Sequence, residues 1–377
     1  MSVEQVLSRS GPRRLLALDG GGIRGCISIE VLARLESLVR QETGKPDLVL
    51  GDWFDYVGGT STGAILATCI ASGMPVERIR DFYQEQGAAM FQQASLLKRL
   101  WFTYEREPLA AKLREVLGAD ARLGSPGLRC LLLLVLRNAS TDSPWPLSNN
   151  PRARYNDRRR PDCNLDLPLW QLVRASAAAP TFFPPEYVRL ESKEFVFVDG
   201  GVTSYNNPSF LLFMMATLEP YRLQWATGPE NMLLVSIGTG MSPTTTSGAR
   251  GSSPNLLENA RGIPLALMSS ASMQQDFLCR SFGRCRSGSR LDRELGDLVE
   301  IGESDPAGAS LGGLPKLFTY LRYDVELTHD GLEAIGVSGV DPRSIDSLDD
   351  VTQIPELQQV GRALAASVRA AHVAGFV

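Results

Sequence analysis

Gly59-Thr60-Ser61-Thr62-Gly63 is the stretch that decides the fold of this sequence. It follows a short apolar run at residues 54–57 and precedes another at residues 64–67. A Gly-x-Ser-x-Gly turn between a strand and a helix exposes the serine hydroxyl, because glycines on both sides permit a tight turn. The helix that follows places its positive N-terminal end beneath the hydroxyl. The sequence therefore predicts a strand–turn–helix unit that presents Ser61 as a nucleophile.

Strands and helices alternate on both sides of this turn. Apolar runs typical of buried strands occur at residues 15–18, 54–57, 128–136, 196–198 and 232–237. Helical spacing of apolar residues occurs at 27–39, 76–91, 108–117 and 170–179. The run at 128–136 is nearly unbroken, which is typical of a central strand covered on both faces. This alternation predicts a layered α/β fold.

The composition of two segments predicts long loops. Residues 138–164 are rich in Pro, Asn, Ser and Arg, and residues 241–254 are rich in Ser, Thr and Gly. Neither separates two complete sets of strands and helices, so we expect a single domain over residues 1–377. Residues after about 300 are expected to form a C-terminal elaboration that closes with a helix over 355–371.

Composition excludes several classes of function. The chain has 377 residues, of which 44% are hydrophobic, and 38 Lys+Arg against 42 Asp+Glu give a formal net charge of −4. This balance gives no reason to expect bulk nucleic acid as a partner. The six cysteines are scattered and lack matching Cys/His pairs. We therefore expect buried free thiols in a reducing cytoplasm, and no metal site.

We expect neither a signal peptide nor a membrane span. Glu4 stands where a signal peptide needs cations. The longest apolar runs, 130–136 and 210–216, fall far short of the roughly 18 residues that a membrane span needs. We expect a soluble cytoplasmic protein that meets a membrane only at its surface.

The sequence has few histidines that could serve as the catalytic base of a serine hydrolase. A Gly-x-Ser-x-Gly turn ordinarily works with a histidine that takes the serine's proton. The chain has only two histidines, His329 and His372, both in its last fifth. Asp199 begins an Asp-Gly-Gly turn directly after the predicted strand 196–198 and offers a carboxylate base instead. A Ser-Asp-His triad that uses His329 is the alternative, since that chain order is permitted.

A second glycine-rich stretch, Asp19-Gly20-Gly21-Gly22-Ile23-Arg24-Gly25, follows the first predicted strand. It matches the Gly-x-Gly-x-x-Gly spacing of dinucleotide-binding modules. The acids that would bind a ribose, Glu36 and Glu42, fall inside the following helix instead. Alternatively, its backbone N–H groups form an oxyanion hole for the serine. The residues alone leave both interpretations open.

Four motifs in chain order resemble those of the patatin-like phospholipase family, over residues 14–240. They are the Asp-Gly-Gly-Gly-x-Arg-Gly loop at 19–25, the nucleophile elbow at 59–63, Ala-Ser-Ala-Ala-Ala-Pro at 175–180 with Phe-Phe-Pro at 182–184, and Asp-Gly-Gly at 199–201 with Asn-Asn-Pro at 206–208. The resemblance implies that Ser61 is the nucleophile and Asp199 the base. The oxyanion donors that it implies are Gly20, Gly21 and Gly22.

This resemblance also implies a fold and an activity. The fold is a three-layer α/β structure, with a mostly parallel central sheet flanked by helices. The activity is hydrolysis of fatty acyl esters of glycerophospholipids through an acyl-serine intermediate, without cofactor or metal, at the inner surface of the membrane. The compact layout is similar to bacterial patatin-like effectors of antiphage defence, which implies a cyclic nucleotide activator. The alternatives are an α/β-hydrolase-type esterase with a Ser-His-Asp triad and a non-enzymatic Rossmann-like nucleotide-binding module.

Three further features are predicted around this site. Arg24 lies beside the glycine loop, where it forms an ion pair with Asp19 or contacts a lipid phosphate. Residues 95–104 form an interfacial lid or an amphipathic helix that faces the core. Two arginine clusters form solvated surfaces or phosphate-binding patches. Their members are Arg152, Arg154, Arg158, Arg159 and Arg160 around Tyr155, and Arg280, Arg284, Arg286, Arg290 and Arg293.

Overall fold

A computed structural model describes residues 1–90, 104–242, 256–289, 291 and 314–377, in which nine strands form one sheet. The strands are β1 (Arg13–Leu18), β2 (Tyr56–Thr60), β3 (Leu131–Asn138), β4 (Ser143–Ser148), β5 (Glu186–Leu190), β6 (Lys193–Asp199), β7 (Met232–Ile237), β8 (Gly283–Ser287) and β9 (Phe318–Tyr323). The α-helices are α1 (Val3–Ser8), α2 (Gly25–Thr43), α3 (Leu50–Trp53), α4 (Thr62–Ala71), α5 (Val76–Met90), α6 (Arg106–Leu117), α7 (Leu169–Ser176), α8 (Ser209–Thr217), α9 (Leu256–Phe282), α10 (His329–Ala334), α11 (Ile354–Ala365) and α12 (Ala370–Val373).

The sheet is mostly parallel, as predicted. Its order is β5-β6-β3-β2-β1-β7-β9-β8, and β4 pairs with β3 outside this order. The five strand pairs from β3 through β2, β1, β7 and β9 to β8 are parallel. The pairs β3–β4, β3–β6 and β5–β6 are antiparallel. Every residue of β2, β7 and β9 is buried, which fits the continuous apolar runs of strands covered on both faces.

Helices cover the sheet in two groups. α4 packs on β1 and β2 and also contacts α2, α5 and α7, while α2 packs against α11. α8 packs on β1 and β7 and contacts α9. α4 and α8 lie on opposite faces of the sheet, because a Cβ at Gly58 of β2 would meet Leu212 of α8 and one at the next residue, Gly59, would meet Gly63 of α4. The predicted three-layer α/β fold is confirmed.

β2 and β6 meet end to end along one edge of β3. β2 runs parallel to β3 and ends with Thr60 opposite Val135. β6 runs antiparallel to β3 and ends with Asp199 opposite Leu136. β4 pairs with residues 133–138 of β3, alongside both of these partners, and so occupies the other edge. The carboxyl ends of β2 and β6 are therefore held at neighbouring positions of β3.

The structure differs from the sequence-based expectations in two regions. The predicted loop 138–164 contains β4, whose Pro144 and Pro146 had indicated irregular structure. Proline is compatible with a strand that is paired on one side, and in the described residues β4 pairs with β3 alone. The segment after about 300, predicted as an elaboration, supplies β9 between β7 and β8. Most of the predicted loop 241–254 lies outside the described residues.

Two further expectations concern cysteines and membrane spans. All six cysteines lie in the described residues and are buried free thiols, as predicted. Among the described helices, none combines the length and apolar character that crossing a membrane requires.

Candidate active site

Ser61 occupies a strained turn between β2 and α4. Its backbone dihedrals are φ 56° and ψ −123°, a conformation that residues with a side chain rarely adopt. Glycine is required on both sides. A Cβ at Gly59 would lie 2.0 Å from the carbonyl oxygen of Gly63, and one at Gly63 would lie 2.2 Å from that of Leu18. This packing permits the predicted nucleophile elbow and turns the serine hydroxyl away from the helix.

A neighbouring serine fixes the backbone of the elbow. The amide of Ser61 donates to Oγ of Ser176 at 3.0 Å. The Ser176 hydroxyl in turn donates to the carbonyl of Val135 at 2.7 Å. Ser176 lies at the end of α7 and is fully buried. The motif at 175–180 contained this residue, but its spacing gave no indication that Ser176 holds the elbow.

The hydroxyl of Ser61 is bonded directly to Asp199. Ser61 Oγ donates to Asp199 Oδ2 at 2.6 Å. The other carboxylate oxygen, Oδ1, accepts the amide of Gly201 at 2.6 Å. Asp199 is 4% exposed, so its carboxylate is largely shielded from bulk water. The two residues that sequence analysis predicted as nucleophile and base are therefore in hydrogen-bond contact.

Burial changes the acid–base properties of Asp199. Desolvation raises the pKa of its carboxyl to about 6, although the hydrogen bonds from Ser61 and Gly201 favour the charged form. An aspartate with an ordinary pKa near 4 is a weak base at neutral pH. The raised pKa of Asp199 makes it a stronger base while it remains mostly ionised at neutral pH.

The glycine loop lies against the elbow, since a Cβ at Gly20 would lie 3.1 Å from Cβ of Ser61. The amide of Gly20 donates to the carbonyl of Asn206 at 3.1 Å. This amide already has a backbone acceptor, which the sequence could not reveal because it lies far along the chain. The assignment of Gly20 as an oxyanion donor stays a prediction. Among the described residues, the amides of Gly21 and Gly22 have no hydrogen-bond acceptor. Two of the three predicted oxyanion donors are thus available.

Arg24 does not form the predicted ion pair with Asp19. Asp19 is bound by Arg322 instead, at 2.7 Å. Nε and Nη1 of Arg24 are buried and have no hydrogen-bond partner among the described residues. Burial lowers the pKa of Arg24 to about 10, with Asp324 and Asp346 acting in the opposite direction. The short 3₁₀ turn at Gly22–Arg24 separates the two side chains, and Arg24 lines a cavity beside the glycine loop.

That cavity has a volume of about 750 Å³. Gly20, Gly21 and Arg24 form one wall, and Met268 of α9 lies on another. Ser61 and Asp199 are not among its lining residues. The glycine loop lines the cavity and also lies against Ser61. The cavity offers polar and apolar surface next to the available amides.

Neither histidine is hydrogen-bonded to Ser61. His372 is buried, and its Nδ1 lies 2.8 Å from the hydroxyl oxygen of Tyr323. His329 begins α10, is exposed, and lies on the rim of the cavity. The hydroxyl that a triad would require His329 to contact is bonded to Asp199 instead.

The first arginine cluster carries its own counter-ions. Three of its members form ion pairs with nearby aspartates, namely Arg158–Asp166, Arg159–Asp157 and Arg160–Asp162. A surface groove of about 580 Å³ is lined by Arg152, Arg158, Arg159 and Arg222. This cluster therefore combines a solvated surface with a basic groove.

The second arginine cluster does not form one surface. Arg280 is buried and paired with Asp276 at 3.1 Å. Arg286 donates to the carbonyls of His372 and Ala374. Arg284 lies in β8. The other two members, Arg290 and Arg293, and residues 95–103 of the predicted lid lie outside the described residues.

Comparison with known proteins places these residues in a family. The model of the family Patatin-like phospholipase matches residues 16–212, just over half of the chain. A cGAMP-activated phospholipase of Vibrio cholerae is 29% identical over 63% of this chain and 68% of the relative. One of Escherichia coli is 28% identical over 63% and 66%, and Patatin-T5 of Solanum tuberosum is 30% identical over 60% of each. The chain spans about three fifths to two thirds of these relatives.

We predict that the reactivity of Ser61 depends on the ionisation of Asp199. A protonated carboxyl cannot accept the serine proton, so reactivity should be constant above the pKa of Asp199 and fall as the pH drops through about 6. The measurement is the rate of covalent labelling by a fluorophosphonate from about pH 4.5 to 8.5, with tryptophan fluorescence to verify folding. Reactivity that stays constant down to about pH 5, as an ordinary aspartate pKa of about 4 would give, would contradict the assigned role of burial.

Proposed function

This chain belongs to the patatin-like phospholipase family, as its motifs predicted, and from this premise we propose that it is a lipid acyl hydrolase. Its substrates are fatty acyl esters of glycerophospholipids, including lysophospholipids. The observation that carries the proposal is the 2.6 Å hydrogen bond from Ser61 Oγ to a buried Asp199. The proposed mechanism uses a Ser-Asp dyad, with Ser61 as nucleophile and Asp199 as base.

Hydrolysis proceeds in two steps, the acylation of Ser61 and its deacylation by water. Ser61 Oγ attacks the ester carbonyl carbon while its proton passes to Asp199 Oδ2. The tetrahedral intermediate then releases the lyso product, whose alcohol oxygen takes the proton from Asp199, and an acyl-Ser61 ester remains. Water, deprotonated by Asp199, attacks this ester. The fatty acid leaves, and the proton returns to Ser61.

The oxyanion of each tetrahedral intermediate needs pre-aimed donors. The amides of Gly21 and Gly22 supply them, because they have no acceptor among the described residues and the loop lies against Ser61. The positive end of α4, which begins at Thr62, favours the developing negative charge. Arg24 supports this loop and supplies positive charge at the cavity wall.

The site of action follows from the substrate. Glycerophospholipids reside in bilayers, so the enzyme works at the inner surface of the cytoplasmic membrane as a peripheral protein. We place the whole activity in one catalytic domain. Support comes from β9, which follows residue 300 in sequence and yet pairs with β7 of the same sheet.

Substitutions separate the dyad from a histidine-dependent triad. We expect Ser61→Ala and Asp199→Ala each to lose at least about 10⁴-fold in kcat while remaining folded. The double variant His329→Ala/His372→Ala should retain most of its activity, since neither ring contacts Ser61. The measurement is hydrolysis of a soluble short-chain ester and of phospholipid vesicles. A folded double-histidine variant as inactive as Ser61→Ala would support the α/β-hydrolase-type triad instead.

Two bacterial relatives are named cGAMP-activated phospholipases. On this basis we propose that a cyclic nucleotide switches the hydrolase on, and that the protein is an effector of antiphage defence. An enzyme that attacks membrane lipids in its own cell needs such restraint. The groove lined by Arg152, Arg158, Arg159 and Arg222 offers guanidinium groups for phosphates.

A panel of cyclic di- and trinucleotides tests this regulation. One member should bind and raise phospholipid hydrolysis, while the others leave the basal rate unchanged. Arg222→Glu should weaken that activation without changing basal hydrolysis of a soluble ester, because it reverses charge in the groove. If no member binds or activates the wild-type protein, the regulatory proposal fails. Tight nucleotide binding without any serine reactivity would support the Rossmann-like module.

A further inference from the structure

Asp19, the first residue of the glycine loop, is held by an arginine from a distant part of the chain. Nη1 of Arg322, in β9, donates to Oδ1 of Asp19 at 3.0 Å, and Nη2 donates to Oδ2 at 2.7 Å. Both side chains are buried. Two parallel bonds between a guanidinium and a carboxylate fix orientation as well as distance. Arg322 lies outside residues 16–212, over which the family matches.

The same guanidinium is bonded to two more side chains. Nη2 donates to Asp324 Oδ2 at 2.6 Å, and Nη1 donates to Ser236 Oγ at 2.7 Å. The other oxygen of Asp324 accepts the amide of Gly240 at 3.0 Å. Arg322 therefore joins the end of β1 to the turn that follows β7.

That turn also holds the glycine loop. Thr239 Oγ1 donates to the carbonyl of Gly20 at 3.0 Å. Arg322 thus acts on the loop twice: directly through Asp19, and indirectly through Asp324 and the turn that carries Thr239. Among the described residues, Arg322 alone forms an ion pair with both carboxylates.

The guanidinium of Arg322 stays protonated. Burial lowers its pKa, but Asp19 and Asp324 raise it more, so the pKa of the guanidinium stands above its ordinary value. Removing the charge would leave two buried carboxylates without a counter-ion, which is strongly destabilising. The guanidinium of Arg322 therefore keeps its charge in the folded protein at physiological pH.

We propose that Arg322 is a positioning residue for the oxyanion loop. It fixes the backbone of residues 19–22 so that the amides of Gly21 and Gly22 point at the oxyanion, and the inference rests on the function proposed above for those amides. Three successive glycines have no side chains to hold them and are conformationally free. Gly20 is held through its own amide and carbonyl. The anchors that flank the three glycines are Asp19 on one side and, on the other, the amide of Ile23 bonded to the carbonyl of Leu348 at 2.9 Å.

Arg322→Lys is the primary test, because lysine keeps the charge and loses the bidentate geometry. We expect kcat for a soluble short-chain ester to fall about 100-fold, as for a misplaced oxyanion donor, with KM within about two-fold. A purely structural role would lower the melting temperature and leave the kcat of the folded fraction unchanged. A folded Arg322→Lys with wild-type kcat, or with only a raised KM, overturns the proposal.

Asp55→Asn is the matched control for Asp19→Asn. Asp55 is equally buried and arginine-bound, through Arg9 Nη1 at 2.6 Å, but it immediately precedes β2 at the opposite end of the sheet. Both variants should lose stability, and only Asp19→Asn should lose kcat. The double variant Arg322→Lys/Asp19→Asn should lose no more kcat than the worse single variant, within about two-fold, because the side chain of Asp19 acts on the loop through its contact with Arg322. If the loss of kcat in the double variant equals the product of the losses in the two single variants, the proposal is overturned.

Ser236→Ala provides a milder variant if Arg322→Lys does not fold. It removes one hydrogen bond from Nη1 and should lower kcat about 10-fold. An unchanged kcat in folded Ser236→Ala then overturns the proposal. The reference is Ser61-dependent turnover by the wild-type protein. Its absence would contradict the proposed hydrolase itself, and so the two failures are distinguishable.

Discussion

The meeting of β2 and β6 on one edge of β3 is the constraint on which the site depends. β2 runs parallel to β3 and β6 antiparallel, so their carboxyl ends approach each other head-on. Thr60 and Asp199 pair with successive residues of β3, and the next residue after Thr60 is Ser61. The 2.6 Å hydrogen bond between Ser61 and Asp199 follows from this register. A shift of either strand along β3 would separate Ser61 from Asp199.

Burial makes Asp199, the acceptor of that hydrogen bond, a stronger base. Asp199 lies under the elbow with 4% of its surface exposed, and desolvation raises its pKa to about 6. Its two oxygens are satisfied by the Ser61 hydroxyl and the Gly201 amide, which stabilise the ionised form. These opposing effects leave a carboxylate that is ionised at neutral pH and more basic than an exposed aspartate. This direct contact with Ser61 is the basis of the proposed dyad without an intervening imidazole.

Local sequence signals predicted much of this arrangement. The apolar runs of β1 and β7 and the glycines around Ser61 specify strands and a turn without reference to distant residues, and the structure has them there. The Asp-Gly-Gly turn after β6 gave Asp199 in the same way. β4 was missed because Pro144 and Pro146 are breakers in most settings, and only its place beside β3 makes them acceptable.

Contacts between distant residues could not be predicted in this way. The ion-pair partner of Asp19 was expected to be Arg24, five residues away. The partner is Arg322, which lies 303 residues after Asp19 in the chain. The acceptor of the Gly20 amide, the carbonyl of Asn206, belongs to another loop. Pairings of this kind depend on the order of β1, β7 and β9 in the sheet, which periodicity and spacing do not contain.

The central claim is that Ser61 carries the acyl group during turnover. Rapid acid quenching after mixing with a phospholipid, followed by peptide mass spectrometry, tests it most directly. The account predicts a fatty acyl ester on Ser61 that forms before free fatty acid accumulates. An acyl group on another residue, or release of fatty acid by folded Ser61→Ala at the wild-type rate, would contradict it.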